Sequence, residues 1–263
     1  IYLTDMITIP IYQVDAFTNK MFEGNPAAVC PLNTFLPNDV LQNIAMENNL
    51  PETAFFVKEN DRFHIRWFTP TTEVNLCGHG TLATAFVIFN YENFSGDVIH
   101  FTSKSGELTV KKEKKLLTLN FPSDKLEKIP PPEKIIAALD AMPVEAYKGK
   151  TDYLFVYGAQ EQVYRMYPDF RKLSEVVNAR GIIVTARGKD CDFISRFFAP
   201  VSGVDEDPVT GSAHTSLTPY WSAQLGKTSL DAIQLSNRKG YLHCKMLGER
   251  VEISGKAKLF MKG

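Results

Sequence analysis

The chain reads as one structural unit written twice. Arg66-Trp67-Phe68-Thr69-Pro70 recurs as Arg196-Phe197-Phe198-Ala199-Pro200, an offset of 130 residues, and Val74 and Val204 keep that offset. The small-residue turns that follow, Gly80-Thr81 and Gly211-Ser212, are displaced by 131. Aromatic strand, proline, short loop, glycine and helix thus occur in the same order in both halves. Self-similarity at a fixed offset is the mark of repeated architecture. Two homologous lobes are expected: residues 1–128, with Glu52 and the Cys77-Gly78-His79-Gly80 loop, and residues 129–263, with the Asp207–Ser212 loop, the closing strands being free to cross over. Ile129-Pro130-Pro131-Pro132 reads as a stiff connector between them.

Hydrophobic periodicity fills in the elements. In the first half, strands are predicted at Ile11–Phe17, Thr53–Lys58 and Phe63–Phe68, where Phe63, Ile65 and Trp67 alternate with polar and aromatic neighbours. Val40/Ile44 and Leu41/Ala45 mark a helix over Asn38–Met46. Thr81–Asn90 is apolar on nearly every side, which predicts a helix buried all round and wrapped by sheet. Strands at Val98–Phe101, Leu108–Lys112 and Leu116–Asn120 complete the half. In the second half, helix Glu133–Ala141 is followed by strands Tyr153–Val156, Ile182–Thr185 and Phe193–Phe198. Helix Ser212–Gln224 comes next, with Gly226 as its C-cap and Pro219 expected to bend or shorten it. Strands Ile233–Leu235, Tyr241–Met246, Val251–Ser254 and Lys258–Met261 close the chain. The predicted class is α+β: two lobes, each a curled, mainly antiparallel sheet around a central helix, with the active-site cleft between them, where ligands preferentially bind.

Charge and composition remove several functions. With 29 Lys+Arg against 30 Asp+Glu the net charge is −1, and no basic run offers a surface for nucleic acid. The longest apolar stretch, around Leu82–Phe89, is too short to cross a bilayer as a helix. Cys30, Cys77, Cys191 and Cys244 are scattered without a CxxC pair, and the five histidines form no HExxH. No metal ligand set is read from these spacings. Glycine-rich dinucleotide and P-loop motifs are missing too, so no cofactor is expected. The setting expected is the reducing cytoplasm.

Both repeats place a glycine-rich loop at the start of a helix, Leu76–Thr81 in one and Glu206–Ala213 in the other. Helix N-termini attract anions by about 0.3–1 kcal/mol per exposed charge. Two at equivalent positions favour binding of a substrate carboxylate over glycines that only permit tight turns. Glu52 opens the apolar strand Glu52-Thr53-Ala54-Phe55-Phe56, where a carboxylate loses hydration and becomes suited to proton transfer; a solvated strand-start glutamate is the plainer alternative. Asp207 is a candidate acid or a helix cap. His79, between glycines, is expected to be exposed and titratable. Asn25 is a turn residue or a substrate hydrogen-bonder. Cys77 sits where a helix N-terminus can activate a thiol, but the second loop has no cysteine to complete a dithiol pair.

Taken together, Val14-Asp15-Ala16-Phe17-Thr18, Gly24-Asn25-Pro26-Ala27-Ala28-Val29, Glu52-Thr53-Ala54-Phe55, Arg66–Pro70, Cys77–Thr81 and Glu206–Ala213 resemble the PhzF-like phenazine-biosynthesis isomerase family. The closing Arg238–Leu242 and Gly248–Gly255 segments resemble it as well, so the likeness spans the chain. It implies the diaminopimelate-epimerase-like fold and cofactor-free proton transfer of the kind that isomerises trans-2,3-dihydro-3-hydroxyanthranilate. By this resemblance Glu52 is the acid/base, and His79 and Asp207 assist it. Gly78 and Ser212 donate hydrogen bonds to the substrate carboxylate, with Gly80, Thr81, Gly211 and Asn25 around them. The partner expected is a small carboxylate-bearing metabolite, and the assembly a homodimer. Two other readings stay open: an amino-acid racemase or epimerase using Cys77, and a non-catalytic metabolite-binding or interaction protein.

Overall fold

The computed structural model of the chain describes residues 8–263. In chain order the first elements are β1 (Tyr12–Ala16), β2 (Asn25–Leu32), α1 (Asn38–Asn48), β3 (Glu52–Glu59), β4 (Arg62–Phe68), β5 (Glu73–Val74), α2 (Gly78–Tyr91), β6 (Val98–Ser103) and β7 (Gly106–Glu113). Then follow β8 (Leu116–Pro122), β9 (Glu127–Lys128), α3 (Glu133–Leu139), β10 (Glu145–Lys148), β11 (Asp152–Val156), α4 (Gln160–Arg165), α5 (Phe170–Val176), β12 (Gly181–Arg187) and β13 (Phe193–Phe198). The chain ends with α6 (His214–Leu225), β14 (Ser229–Gln234), β15 (Gly240–Leu247), β16 (Arg250–Gly255) and β17 (Ala257–Lys262).

The chain packs into two compact units. The first holds the described residues up to Met21, Pro26–Leu117 and Lys256–Gly263; the second holds Phe22–Asn25 and Thr118–Gly255. The change of unit therefore falls within β8. The Ile129–Pro132 stretch lies inside the second unit, where β9 pairs with β10 and the Ile129 N–H donates to Ala146 O at 2.9 Å. At the C-terminus, β17 returns to the first unit and runs antiparallel to β1.

The doubled sequence gives a doubled topology. In the first unit β2 and β3 are parallel, β3 and β4 antiparallel, β4 and β6 parallel, and β6 and β7 antiparallel. In the second, the pairs β11–β12, β12–β13, β13–β14 and β14–β15 repeat those four orientations in the same order. Each sheet curls around one helix. In the first unit α2 packs on β1, β3, β7 and β17; in the second, α6 packs on β14, β15 and β16. Leu82, Val87 and Ile88 of α2 are fully buried, each stabilising the fold by about 1.5–3 kcal/mol through removal of apolar surface from water.

A second layer covers the other side of each sheet. Leu41 and Ala45 of α1 cluster with Cys30, Phe55 and Phe68. In the second unit Ile135, Ile136, Val163 and Leu173, from α3, α4 and α5, cluster with Phe155, Val184 and Phe198 of the sheet. Strands covered on both sides lose the alternation that marks a half-buried strand: the burial of β2, β12 and β13 is nearly continuous.

The helix expected from Ser212 begins as a 3-10 turn at Gly211–Ala213 and becomes α-helical only at His214. Pro219 does not stop it. The carbonyl a proline leaves without its helical donor is that of Thr215, and the Asp124 N–H supplies a hydrogen bond there at 3.1 Å.

Candidate active site

In the first unit, Glu52, Cys77 and His79 converge. The left-handed cap Asn49 ends α1, and Pro51 leads into β3, whose first residue is Glu52. Asn48 fixes this entry by donating from Nδ2 to Thr53 Oγ1 at 3.1 Å. Cys77 is the N-cap of α2: its Sγ accepts from the Gly80 N–H at 3.3 Å. His79, two residues on, brings Nε2 to 2.8 Å from Glu52 Oε2, the two side chains being 7% and 18% exposed. Cys77 Sγ lies 3.6 Å from His79 Nδ1.

The expectation that His79 would be an exposed loop histidine is corrected: it is buried, as is Cys77. The cause is the close seating of the first turn of α2. A Cβ on Gly80 would stand 2.9 Å from both Cys77 Sγ and Trp67 Cδ1, so the glycine lets the turn settle onto the tryptophan and draws its side chains inward. Burial alone would depress the His79 pKa. The Glu52 carboxylate beside it, with the hydrogen-bonding contact to Cys77, outweighs that and holds it well above the ordinary 6.5. Cys77 moves up because its thiolate would be desolvated and would face the Glu52 carboxylate. A buried thiol held in its neutral form is a poor base.

The glycine-rich loop uses several of its own donors. The Gly80 N–H is taken by Cys77 Sγ, and both the N–H and the hydroxyl of Thr81 donate to Cys77 O, at 3.0 and 2.6 Å. These two residues build the turn that presents His79. Gly78 begins the helix and is partly exposed.

In the second unit, Asp207 stands in a different network. Its Oδ1 accepts from Asn25 Nδ2 at 2.8 Å and its Oδ2 from Thr210 Oγ1 at 2.5 Å. Asn25 is fully buried and donates also to Val209 O at 3.0 Å, so it braces the Asp207 loop. Gln234 completes the frame: its Nε2 donates to Asp207 O and its Oε1 accepts from the Thr210 N–H, at 2.9 and 2.8 Å. Gly211 is buried in the 3-10 turn, and the Ser212 hydroxyl accepts from Arg180 Nη1 at 2.9 Å. Arg180 in turn forms a two-pronged pair with Asp152. Thr210 lies within the Glu206–Ala213 motif, but Gln234, Arg180 and Asp152 carry no motif that would single them out in the sequence.

The doubled arginines make matching contacts in the two loops. Arg66 Nε and Nη2 reach Glu73 at 2.8 and 2.9 Å, and Arg196 Nε and Nη2 reach Glu206 at 2.7 and 2.8 Å. The guanidinium carbons lie 5.1 Å from the Phe68 ring centre and 4.9 Å from that of Phe198. Glu206 is next to Asp207, so its arginine also fixes the start of the second loop.

Among the described residues no helix is long and apolar enough to cross a membrane. Cys30, Cys77, Cys191 and Cys244 are free thiols. Glu52, Cys77 and His79 are a set of side chains whose ligand atoms all lie within 4.8 Å of one another.

Comparison with known proteins agrees with this architecture. The family model for phenazine biosynthesis-like proteins, PhzC-PhzF, matches residues 14–263. An uncharacterized isomerase of Pseudomonas aeruginosa is 49% identical over 255 residues, covering 97% of this chain and 98% of its own. The crystal structure of a PhzF-family protein from Enterococcus faecalis superposes with a TM-score of 0.95 at 49% identity, over 98% of both chains. A predicted epimerase from Pseudomonas aeruginosa, only 17% identical, shares the fold with a TM-score of 0.73 over 97% of this chain and 98% of that one. The chain belongs to the PhzF family of phenazine biosynthesis-like isomerases.

Proposed function

We propose that this isomerase moves a proton between carbons of a small carboxylate-bearing substrate, without a cofactor, with Glu52 as the acid/base. The observation that carries the reading is the 2.8 Å contact between Glu52 Oε2 and His79 Nε2 in a largely buried setting at the start of α2. Glu52 takes the proton from the carbon next to an electron-withdrawing group and returns it to another carbon. His79, held protonated by its neighbours, steadies the carboxylate through its Nε2–H and compensates the charge as the proton moves. A Cys77-based racemase is disfavoured, because burial and the Glu52 carboxylate hold that thiol protonated.

On the second unit, Asp207 and Ser212 keep the assisting roles implied by the family resemblance, as acid/base helper and carboxylate donor. Asn25 acts through its bond to Asp207, and Gly80, Thr81 and Gly211 by shaping the two loops. The substrate is of the dihydrohydroxyanthranilate type: a small acid whose C–H is acidified by conjugation. A cytoplasmic, homodimeric protein goes with this reading, and its free thiols are consistent with a reducing compartment.

The test is proton NMR in deuterated water with dihydrohydroxyanthranilate beside a panel of amino and hydroxy acids. Deuterium entering one compound at carbon, with the intact protein and not with Glu52→Gln, is the expected result. Equal exchange in the variant removes Glu52 from the reaction.

A further inference from the structure

We infer that Glu52, Cys77 and His79 form a binding site for a single soft divalent cation of the zinc class. The three side chains bring one oxygen, one sulfur and one nitrogen within 4.8 Å of one another. A tetrahedral zinc ion with ligands at about 2.0–2.3 Å holds those ligand atoms about 3.3–3.6 Å apart. Here Glu52 Oε2 lies 2.8 Å and Cys77 Sγ 3.9 Å from His79 Nε2. Small side-chain rotations about a backbone fixed by β3 and the first turn of α2 therefore admit the ion.

The chemistry of the set agrees. Thiolate, imidazole and carboxylate are the three donor types zinc accepts. Two anionic donors balance the double positive charge, so the loaded site is neutral in its buried surroundings. The Gly80 N–H, 3.3 Å from Cys77 Sγ, supplies the outer hydrogen bond that steadies a ligating thiolate. On binding, the Cys77 S–H and the His79 Nε2–H each release a proton to solvent, and the close contact between His79 Nε2 and Glu52 Oε2 gives way to two bonds to the ion. Three protein ligands leave the fourth position to water. The ion occupies the groups assigned to proton transfer, so it acts as an inhibitor. Binding itself does not depend on that assignment.

X-ray absorption on the full-length wild-type protein loaded with one equivalent of Zn²⁺ reads the ligand set without any variant. One sulfur with nitrogen and oxygen neighbours is expected; a shell of nitrogen and oxygen alone overturns the site. Cd²⁺ then reports the thiolate by its ligand-to-metal charge-transfer absorption. The band is expected in wild type and in Cys191→Ser and absent in Cys77→Ser; its persistence in Cys77→Ser also overturns the site. Glu52→Gln and His79→Gln, once shown to be folded by circular dichroism, are expected to weaken Zn²⁺ binding at least tenfold, and unchanged affinity in both removes them as ligands. Zn²⁺ should abolish deuterium exchange and a chelator restore it. If the sulfur-containing shell is found and exchange continues undiminished, the metal site stands and the role given to Glu52 falls.

Discussion

Gly181 holds in the second unit the register position that Glu52 holds in the first. Glu52 precedes Thr53, which pairs with Phe68; Gly181 precedes Ile182, which pairs with Phe198, the repeat equivalent of Phe68. The neighbouring strand carries Ala27 opposite Glu52 and Asp152 opposite Gly181. A Cβ on Gly181 would collide with the Phe197 ring, so the space a carboxylate would need is filled by an aromatic side chain. At this register position the duplicated scaffold thus carries a carboxylate in one copy only. Gly181→Ala should destabilise the protein by about 1–3 kcal/mol through overpacking, read by urea denaturation; an unchanged midpoint would mean that the Phe197 ring and the Phe198 carbonyl, 2.8 Å from that Cβ, both give way freely.

Glu52→Gln keeps the size of the side chain and its ability to accept from His79, but not its capacity to carry a proton. Loss of one general acid/base usually lowers rate by about 10²–10⁴-fold, and that is the expected drop in substrate deuterium exchange. The variant should remain folded, with a melting temperature somewhat below that of wild type because the charge that helps hold His79 protonated is gone. Cys77→Ser should leave exchange measurable. If the serine variant is dead and the glutamine variant active, the base is the thiol.

The repeat and the all-round apolar face of α2 were legible in the chain, because both are patterns of residue type along one dimension. Glu52 and Asp207 stood out through the motifs around them. The Glu52–His79 contact was not legible: it depends on how deeply the first turn of α2 settles on Trp67, and no local pattern encodes that depth. The role of Asn25 as a brace for Asp207 was hidden for a similar reason, since its partner lies 182 residues away. β2 escaped notice because six of its eight residues are buried, so it shows no alternation. The helices α4 and α5, of 6 and 7 residues, are too short to show a helical period.

His79 gives the fold a distinct pH dependence. Its folded pKa lies above 6.5, so its protonated form stabilises the native state. That contribution is whole below the unfolded value of 6.5 and is lost as pH rises through the folded one. The melting temperature of wild type should therefore fall relative to His79→Gln as pH rises from 6.5 through the folded value. Isotope-labelled imidazole NMR should show His79 titrating above 6.5 in wild type and lower in Glu52→Gln. A constant gap in melting temperature across that range would mean that the histidine does not change charge with folding.

The repeated arginines should differ in what they contribute. Arg196 holds Glu206 and also donates from Nη1 to Val163 O and Met166 O, at 3.0 and 2.7 Å. Replacing it with methionine leaves a largely buried carboxylate and two carbonyls without that donor, a loss of about 3–5 kcal/mol for a broken buried pair. Arg66 holds Glu73, but Lys104 Nζ also reaches that carboxylate at 2.5 Å and remains when Arg66 is removed. Arg66→Met should therefore cost less, about 1.5–3 kcal/mol for hydrogen bonds to a charged group. Arg66, with help from Lys104, holds the Glu73 pKa below its ordinary 4.5. Its contribution is whole above 4.5 and disappears as pH falls through the folded value, so the penalty of Arg66→Met should shrink in acid. Urea unfolding of both variants at neutral and acidic pH checks the order; equal penalties at neutral pH would show that the two copies of the motif brace their loops alike.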